Sequence, residues 1–230
     1  VGVGGGSLVY ANTLPKPKST YYKTGSWASL SDWEKELATH YDTAWEMLGA
    51  TVNPKLEDSD LALQELAKRI GKEKQFEATK VSVFFGEAEK TVPDPFFNGK
   101  GPERTGCKFC GACMTGCRHN AKNSLDKNYL YLAQQLGVEV IAEQEVIDVL
   151  PLGNSDGNKG YQIQYKSSTK LFSSKKTVTS QAVIFAGGVL GTIPLLLKLK
   201  KKSLPKLSPR TGEMIRTNNE ALIMDVSLDK

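Results

Sequence analysis

Apolar positions along this chain change their spacing several times, and each change predicts an element. Leu8-Val9-Tyr10-Ala11 is a short apolar run leaving a glycine-rich start, and residues 13–29, with Pro15, Pro17 and Gly25, predict an irregular surface segment. Trp33, Leu37, Tyr41, Ala44, Trp45 and Leu48 recur at three- and four-residue steps, one face of a helix; Ser31 and Glu34 predict its capping box and Gly49 its end. Leu61, Leu63, Leu66, Ala67 and Ile70 predict a second helix over 59–70, stopped by Gly71. The β-branched and aromatic run 80–85 predicts a strand. Leu125, Tyr129, Leu132, Ala133 and Leu136 predict a third helix, closed by Gly137. Strands are then expected at 138–142 and 145–150, the latter turning at Gly153 to Gly157 into the alternating run Tyr161 to Tyr165 as a hairpin. A further strand over 177–186 and a helix from Gly191 to about Lys200 follow. Helices interleaved with strands predict an α/β, or mixed α+β, fold.

Composition narrows the class. Of 230 residues, 40% are apolar and 24% charged, the balance of a globular protein able to bury a core. The longest apolar stretch, Ala182 to Leu197, is broken by Gly187, Gly188, Gly191 and Pro194, so no transmembrane segment is expected, and no basic-then-apolar leader pattern is present. A cytoplasmic setting is the expectation. The net charge of +5 is uneven: from Pro151 onward 13 basic residues face 5 acidic ones. No aromatic or nucleic-acid-binding motif accompanies them, so a solvated lysine face is expected, not a nucleic-acid partner. Lys198, Lys200, Lys201 and Lys202 end an apolar helix, where they complement its dipole.

Two kinds of chemistry stand out. All four cysteines fall in Cys107-Lys108-Phe109-Cys110-Gly111-Ala112-Cys113-Met114-Thr115-Gly116-Cys117, a C-x2-C-x2-C-x3-C run. That spacing suits an iron–sulfur cluster, but there is one quartet, and Arg118, not Pro, follows Cys117. Zinc sites of four cysteines separate their halves by more residues. Structural thiols or a local disulfide are the favoured reading, with no metal favoured and an iron–sulfur electron-transfer module kept as the alternative. Gly2 to Ser7 and the strand-to-helix turn Ala182 to Gly191 form the second kind: glycine backbone that can approach a phosphate or a planar ring. His40 is expected on a polar helix face. His119, two residues past Cys117, is expected at the surface, with a ligand or catalytic role as its alternative.

Val3-Gly4-Gly5-Gly6-Ser7-Leu8-Val9-Tyr10-Ala11-Asn12 resembles the flavin-contacting segment of glucose–methanol–choline (GMC) oxidoreductases, on their cholesterol-oxidase-like branch. Cys113 to Cys117, Asn120 to Tyr129, Ala182 to Leu197 and Gly212 to Asn219 resemble later blocks of that branch, in the same order. Two departures stand beside these: Tyr10 replaces a usual Asn or His, and Gly188 to Ile193 lacks the usual Ser/Thr-Pro pair.

The resemblance implies an FAD-binding Rossmann-type domain with part of a substrate domain. Residues 1–30 would be the flavin-contacting loop and an extended segment, and 31–106 a helical and strand insertion of the substrate domain. Residues 107–198 would carry the cysteine loop and FAD-domain elements, and 199–230 the start of the substrate domain. It implies oxidation of CH–OH groups of small-molecule alcohols, sterol-like ones among them. Gly4, Gly5, Gly6, Ser7, Tyr10, Ala11 and Asn12 would lie along the isoalloxazine ring, Val146 near the adenine, and Ala186 and Gly187 beside the FAD. It also implies an inner piece of a longer protein. The expectation is that a G-x-G-x-x-G strand, a catalytic His and the rest of the parent chain lie outside these residues.

Overall fold

The computed structural model describes residues 2–154 and 156–217 as two compact units, one ending at Val140 and the other beginning at Ile141.

In the first unit, a single helical turn, α1 (Ser19–Tyr22), precedes the long helix α2 (Trp33–Met47). Its N-cap is Asp32, whose carboxylate accepts from the Lys35 N–H, and not the expected Ser31. Ser31 bonds the Glu36 carboxylate instead, and Glu34 is taken by Ser19. Trp45 fixes α2 to the chain before it by donating to the Leu14 carbonyl, with the Lys16 and Lys80 ammonium groups 4.0 and 3.6 Å from its ring. Helix α3 (Asp58–Arg69) begins on a capping box of Glu57 and Asp60. Three short strand pieces follow β1 (Thr51–Val52): β2 (Lys80–Val81), β3 (Thr91–Val92) and β4 (Arg104–Thr105), paired antiparallel as β1–β2 and β3–β4.

The expected strand over 80–85 is regular only as far as Val81. Beyond it the segment is held by loops on both sides: the Ser82 N–H donates to Asn12 O, the Phe84 N–H to Ala121 O and the Asn123 N–H to Ser82 O. The expected helix over 125–136 is broken. Leu125–Lys127 form a 3₁₀ turn, and α4 (Tyr129–Gln135) starts afresh at the buried Asn128, because Arg104 takes the Lys127 carbonyl at 2.7 Å. Val81, Val83 and Ala121 make the small apolar core.

In the second unit, β5 (Gln144–Pro151), β6 (Tyr161–Ser167) and β7 (Lys176–Ser180) form an antiparallel sheet in that order, confirming the hairpin. Residues 138–142 form no strand, and Val138 and Ile141 are exposed. The expected strand 177–186 ends at Ser180, because β6 starts at Tyr161, the partner of Ser180, and the turn before it offers nothing further to pair with. Helix α5 (Val189–Lys200) packs on β5 and buries Leu199. The basic end of α5 is not simply a solvated face. Lys198 donates to the carbonyl of Ile147, where β5 shifts register, Lys200 to Pro209 O, and Lys202 to the buried Asp148 carboxylate.

The fold is therefore mixed, helices with small antiparallel sheets. The described residues form no parallel sheet, so the Rossmann-type part of the expectation rests on the resemblance alone. Of the block Gly212 to Asn219, residues 218 and 219, like 220–230, lie outside the described residues.

Candidate functional site

The predicted flavin-contacting residues fall into two groups, one in each unit. In the first unit the glycine loop turns through a 3₁₀ helix at Gly5–Leu8. Gly4 is buried; Gly5 and Gly6 are exposed, and a Cβ on either would meet no atom within 4 Å. Gly5 has φ +56°, a conformation costly for a β-branched residue. The result is open backbone against which a flat group can lie. Ser7 pins the loop by donating to Gly4 O at 2.6 Å and accepting the Leu125 N–H at 2.9 Å. Ala11 is exposed; Asn12 is buried, with a carboxamide oxygen that has no partner.

Beneath this loop sits Lys122, 2% exposed. Its ammonium donates to Leu8 O (3.2 Å), Tyr10 O (2.8 Å) and Cys113 O (3.0 Å), and lies 4.6 Å from the centre of the Tyr10 ring. One cation thereby ties the glycine loop to the cysteine loop. Burial pulls its pKa down, against the pull of Cys113, Cys117 and Asp126. Burial likewise pushes the Tyr10 phenol up. Arg104, fully buried, serves the neighbouring loops through Asn123 Oδ1 (2.9 Å) and Lys127 O (2.7 Å).

The four cysteines are free. All line one largely apolar cavity of about 210 Å³, together with Asn12, Phe109 and His119, which is half-buried at the cavity wall; His40 is exposed. Among the described residues, no three of His, Cys, Asp and Glu converge as ligands for a metal ion.

The second group lies in the second unit. Val146, Ala186 and Gly187 line one cavity of about 540 Å³ with Gln144, Val183, Phe185 and Thr192. Val146 is exposed to this space and is not sheet core. Gly188 caps α5 without a side-chain bond, leaving the first-turn amides of the helix free for an anionic group. Gln144 was not anticipated: its Nε2 donates to Ala142 O at 3.2 Å, while its Oε1 is buried without a partner. An orphaned acceptor in an apolar cleft fits the amino group of an adenine, so these residues suit the adenine end of a dinucleotide.

No alternation or spacing marks Gln144, Lys122 or Arg104. Only the place of Lys122 inside the Asn120 to Tyr129 block hinted at a role.

Residues 98–200 match the GMC oxidoreductase family. The chain belongs to that family, and its relatives lie on the cholesterol-oxidase side of it. It is 44% identical over 228 residues to a cholesterol oxidase of Acinetobacter baumannii, an alignment covering 96% of this chain and 41% of that protein. A cholesterol oxidase of Mycobacterium tuberculosis is 42% identical over 229 residues, covering 96% of this chain and 39% of the relative. The chain thus spans about two fifths of the length of the curated relatives it matches. No solved structure gives a significant match. Among the described residues no helix is long and apolar enough to cross a membrane.

Proposed function

We propose that this chain is part of an FAD-dependent oxidoreductase acting on CH–OH groups of alcohols. The substrates would be bulky hydrophobic alcohols, a class suggested by the sterol in the relatives' names. The observation that carries the FAD reading is the cleft where Val146, Ala186 and Gly187 meet the unpartnered Oε1 of Gln144. Gln144 would accept from the adenine amino group, and the free amides at the start of α5 would face the phosphates. Gly4 to Asn12 would lie along the isoalloxazine, with Lys122 holding the carbonyls of Leu8 and Tyr10 so that the loop keeps its shape. FAD bound there would supply the acceptor for a hydride from the carbinol carbon. The hydroxyl proton would pass to a His outside these residues. In this reading 1–30 and 107–198 serve a Rossmann-type FAD domain, and 31–106 and 199–230 the substrate domain. A reducing cytoplasm goes with it, since it keeps the four thiols free.

The test is the visible spectrum of the purified full-length protein. Two resolved flavin bands, bleached anaerobically by an alcohol such as a sterol, are expected. A single broad brown absorbance with stoichiometric iron and acid-labile sulfide would replace this reading with an iron–sulfur module. Gly5→Val should lower the flavin-to-protein absorbance ratio, because the loop cannot hold a β-branched residue at positive φ without shifting. An unchanged ratio would make the glycine loop a mere connector.

A further inference from the structure

The cysteine loop is closed at its base on one residue of the central segment. The Cys107 N–H donates to Phe84 O at 3.0 Å, and the Phe84 N–H donates to Ala121 O at 2.8 Å. These bonds set Cys107 and Ala121 on either side of Phe84, and Cys117 lies four residues before Ala121. Of the four cysteines, Cys107 and Cys117 are the two packed against the small Val81, Val83 and Ala121 cluster, and both face the 210 Å³ cavity. A cavity of that size admits molecules several times larger than water.

The two thiols are chemically unlike. Burial raises the pKa of Cys117, but the backbone N–H groups of Lys122, Ala121 and His119, with the charge of Lys127, outweigh it and hold the thiol below its ordinary value. Burial pushes the Cys107 thiol up, and the neighbouring thiols push it further; only the Phe109 N–H works against this. The nucleophile is a thiolate, and the thiol with the lower pKa is also the better leaving group when a disulfide is reduced.

We propose that Cys117 is an oxidation site for small hydroperoxides and that Cys107 resolves it, closing a reversible disulfide across the base of the loop. In the first step the Cys117 sulfur attacks one peroxide oxygen. The S–O bond forms, the O–O bond breaks, and the released hydroxide takes a proton and leaves as water. Sulfur is oxidised to the sulfenic acid and the peroxide is reduced. In the second step the Cys107 thiolate attacks the Cys117 sulfur. The S–S bond forms, the S–O bond breaks, and the oxygen leaves with a proton as a second water. Two thiols and one hydrogen peroxide give one disulfide and two waters.

Disulfide formation takes away the thiolate form of Cys117, whose charge favours the buried Lys122 ammonium, and alters the sulfur that the Lys122, Ala121 and His119 amides face. Lys122 carries the carbonyls of Leu8 and Tyr10, so the state of the thiols is passed to the glycine loop. A flavin oxidase makes hydrogen peroxide when oxygen takes its electrons, which would give the site a local source. The thiol chemistry itself does not depend on the proposed flavin reading.

The experiment is thiol mapping on the full-length protein, reduced, desalted and exposed to hydrogen peroxide. Remaining thiols are blocked with iodoacetamide and the protein is cut with trypsin, which separates Cys107 from the other three cysteines after Lys108. The expected product joins Cys107 to Cys117 and disappears on treatment with dithiothreitol. In Cys107→Ser, a sulfenic-acid probe should label Cys117. The proposal is overturned if Cys107 and Cys117 both stay alkylatable while the exposed Cys110 oxidises, or if the linked pair includes Cys110 or Cys113. The wild-type map needs no variant to fold, and it reads out whether or not the protein carries flavin.

Discussion

Val149 and Leu199 anchor the hairpin and helix of the second unit by ordinary apolar burial, whereas the first unit buries Arg104, Lys122, Asn123, Asn128 and Ser82 around a core of only a few small apolar residues. The difference follows from the backbone. In β5, β6 and β7 the ladder pairs main-chain groups with one another, and no side chain is needed. Around Ser82 the chain is mostly loop, so its carbonyls must find donors elsewhere, and buried cations provide them. Lys122 serves three carbonyls; Arg104 serves Lys127 O and stands within 3.3 Å of the carbonyls of Pro102 and Glu103. Asp94 does the converse for a turn, accepting the N–H groups of Phe96, Phe97, Gly99 and Gly101.

The largest effect expected from this contrast is that of Arg104→Met. It strands Asn123 Oδ1 and the Lys127 carbonyl in a buried site, a loss of about 4 kcal/mol when two charge-assisted bonds go. Leu199→Ala, the corresponding blow to the second unit, should cost about 3 kcal/mol. Both are read from denaturant midpoints of the full-length protein. A larger loss for Leu199→Ala would mean that the polar cluster contributes less than apolar burial even where apolar burial is scarce.

That contrast also explains what could be read in the sequence. The hairpin, α2, α3 and α5 were legible because an apolar stripe or an alternation announces an amphipathic element. The break at Asn128 was not, because the Leu125 to Leu136 stripe is continuous and the cause, Arg104, lies far away in sequence. The strand expected through Ala182 to Phe185 failed for the opposite reason. Its residues suit a strand, but pairing depends on a partner, and β6 begins too late to supply one. For the candidate site, glycines and cysteines announced themselves by type. Lys122 and Gln144 are defined by what they bond or fail to bond, which no local pattern encodes.

Among the described residues, Asp148 is the one charged group buried in the second unit, and it tests the contrast through pH. Burial raises its pKa, but Lys202, Ser203 and the Val149 N–H together lower it below its unfolded value. A carboxylate held down in the folded state stabilises above its unfolded pKa of about 3.9, and that contribution is lost as pH falls through the folded value. Asp148→Asn should therefore cost about 2 kcal/mol at neutral pH and progressively less below about pH 4. A gap between wild type and variant that stayed constant to low pH would show that Asp148 is not acting through its charge.

Gln144→Leu should leave the fold intact, since it removes an acceptor that has no partner and a single exposed bond, to Ala142 O, that water can replace. Its effect should appear in flavin binding, with about a ten-fold weaker FAD affinity, or roughly 1.4 kcal/mol. Titration of the deflavinated full-length protein with FAD measures it. Unchanged affinity would remove Gln144 from the adenine site while leaving Val146, Ala186 and Gly187 to be tested separately.

The smallest effect is expected at the connection between β6 and β7, where Leu171 and Phe172 are 91% and 90% exposed. An apolar side chain already in water contributes no burial, so Phe172→Ser should change stability by less than about 0.5 kcal/mol. The measurement is sharpest in the full-length protein, because it asks whether the open apolar residues of the second unit stay open there. If Phe172→Ser costs more than about 1 kcal/mol, the residue is covered in the intact protein by something outside these 230 residues. The second unit would then be stabilised by apolar burial on two sides, and its contrast with the polar cluster around Lys122 would be greater still.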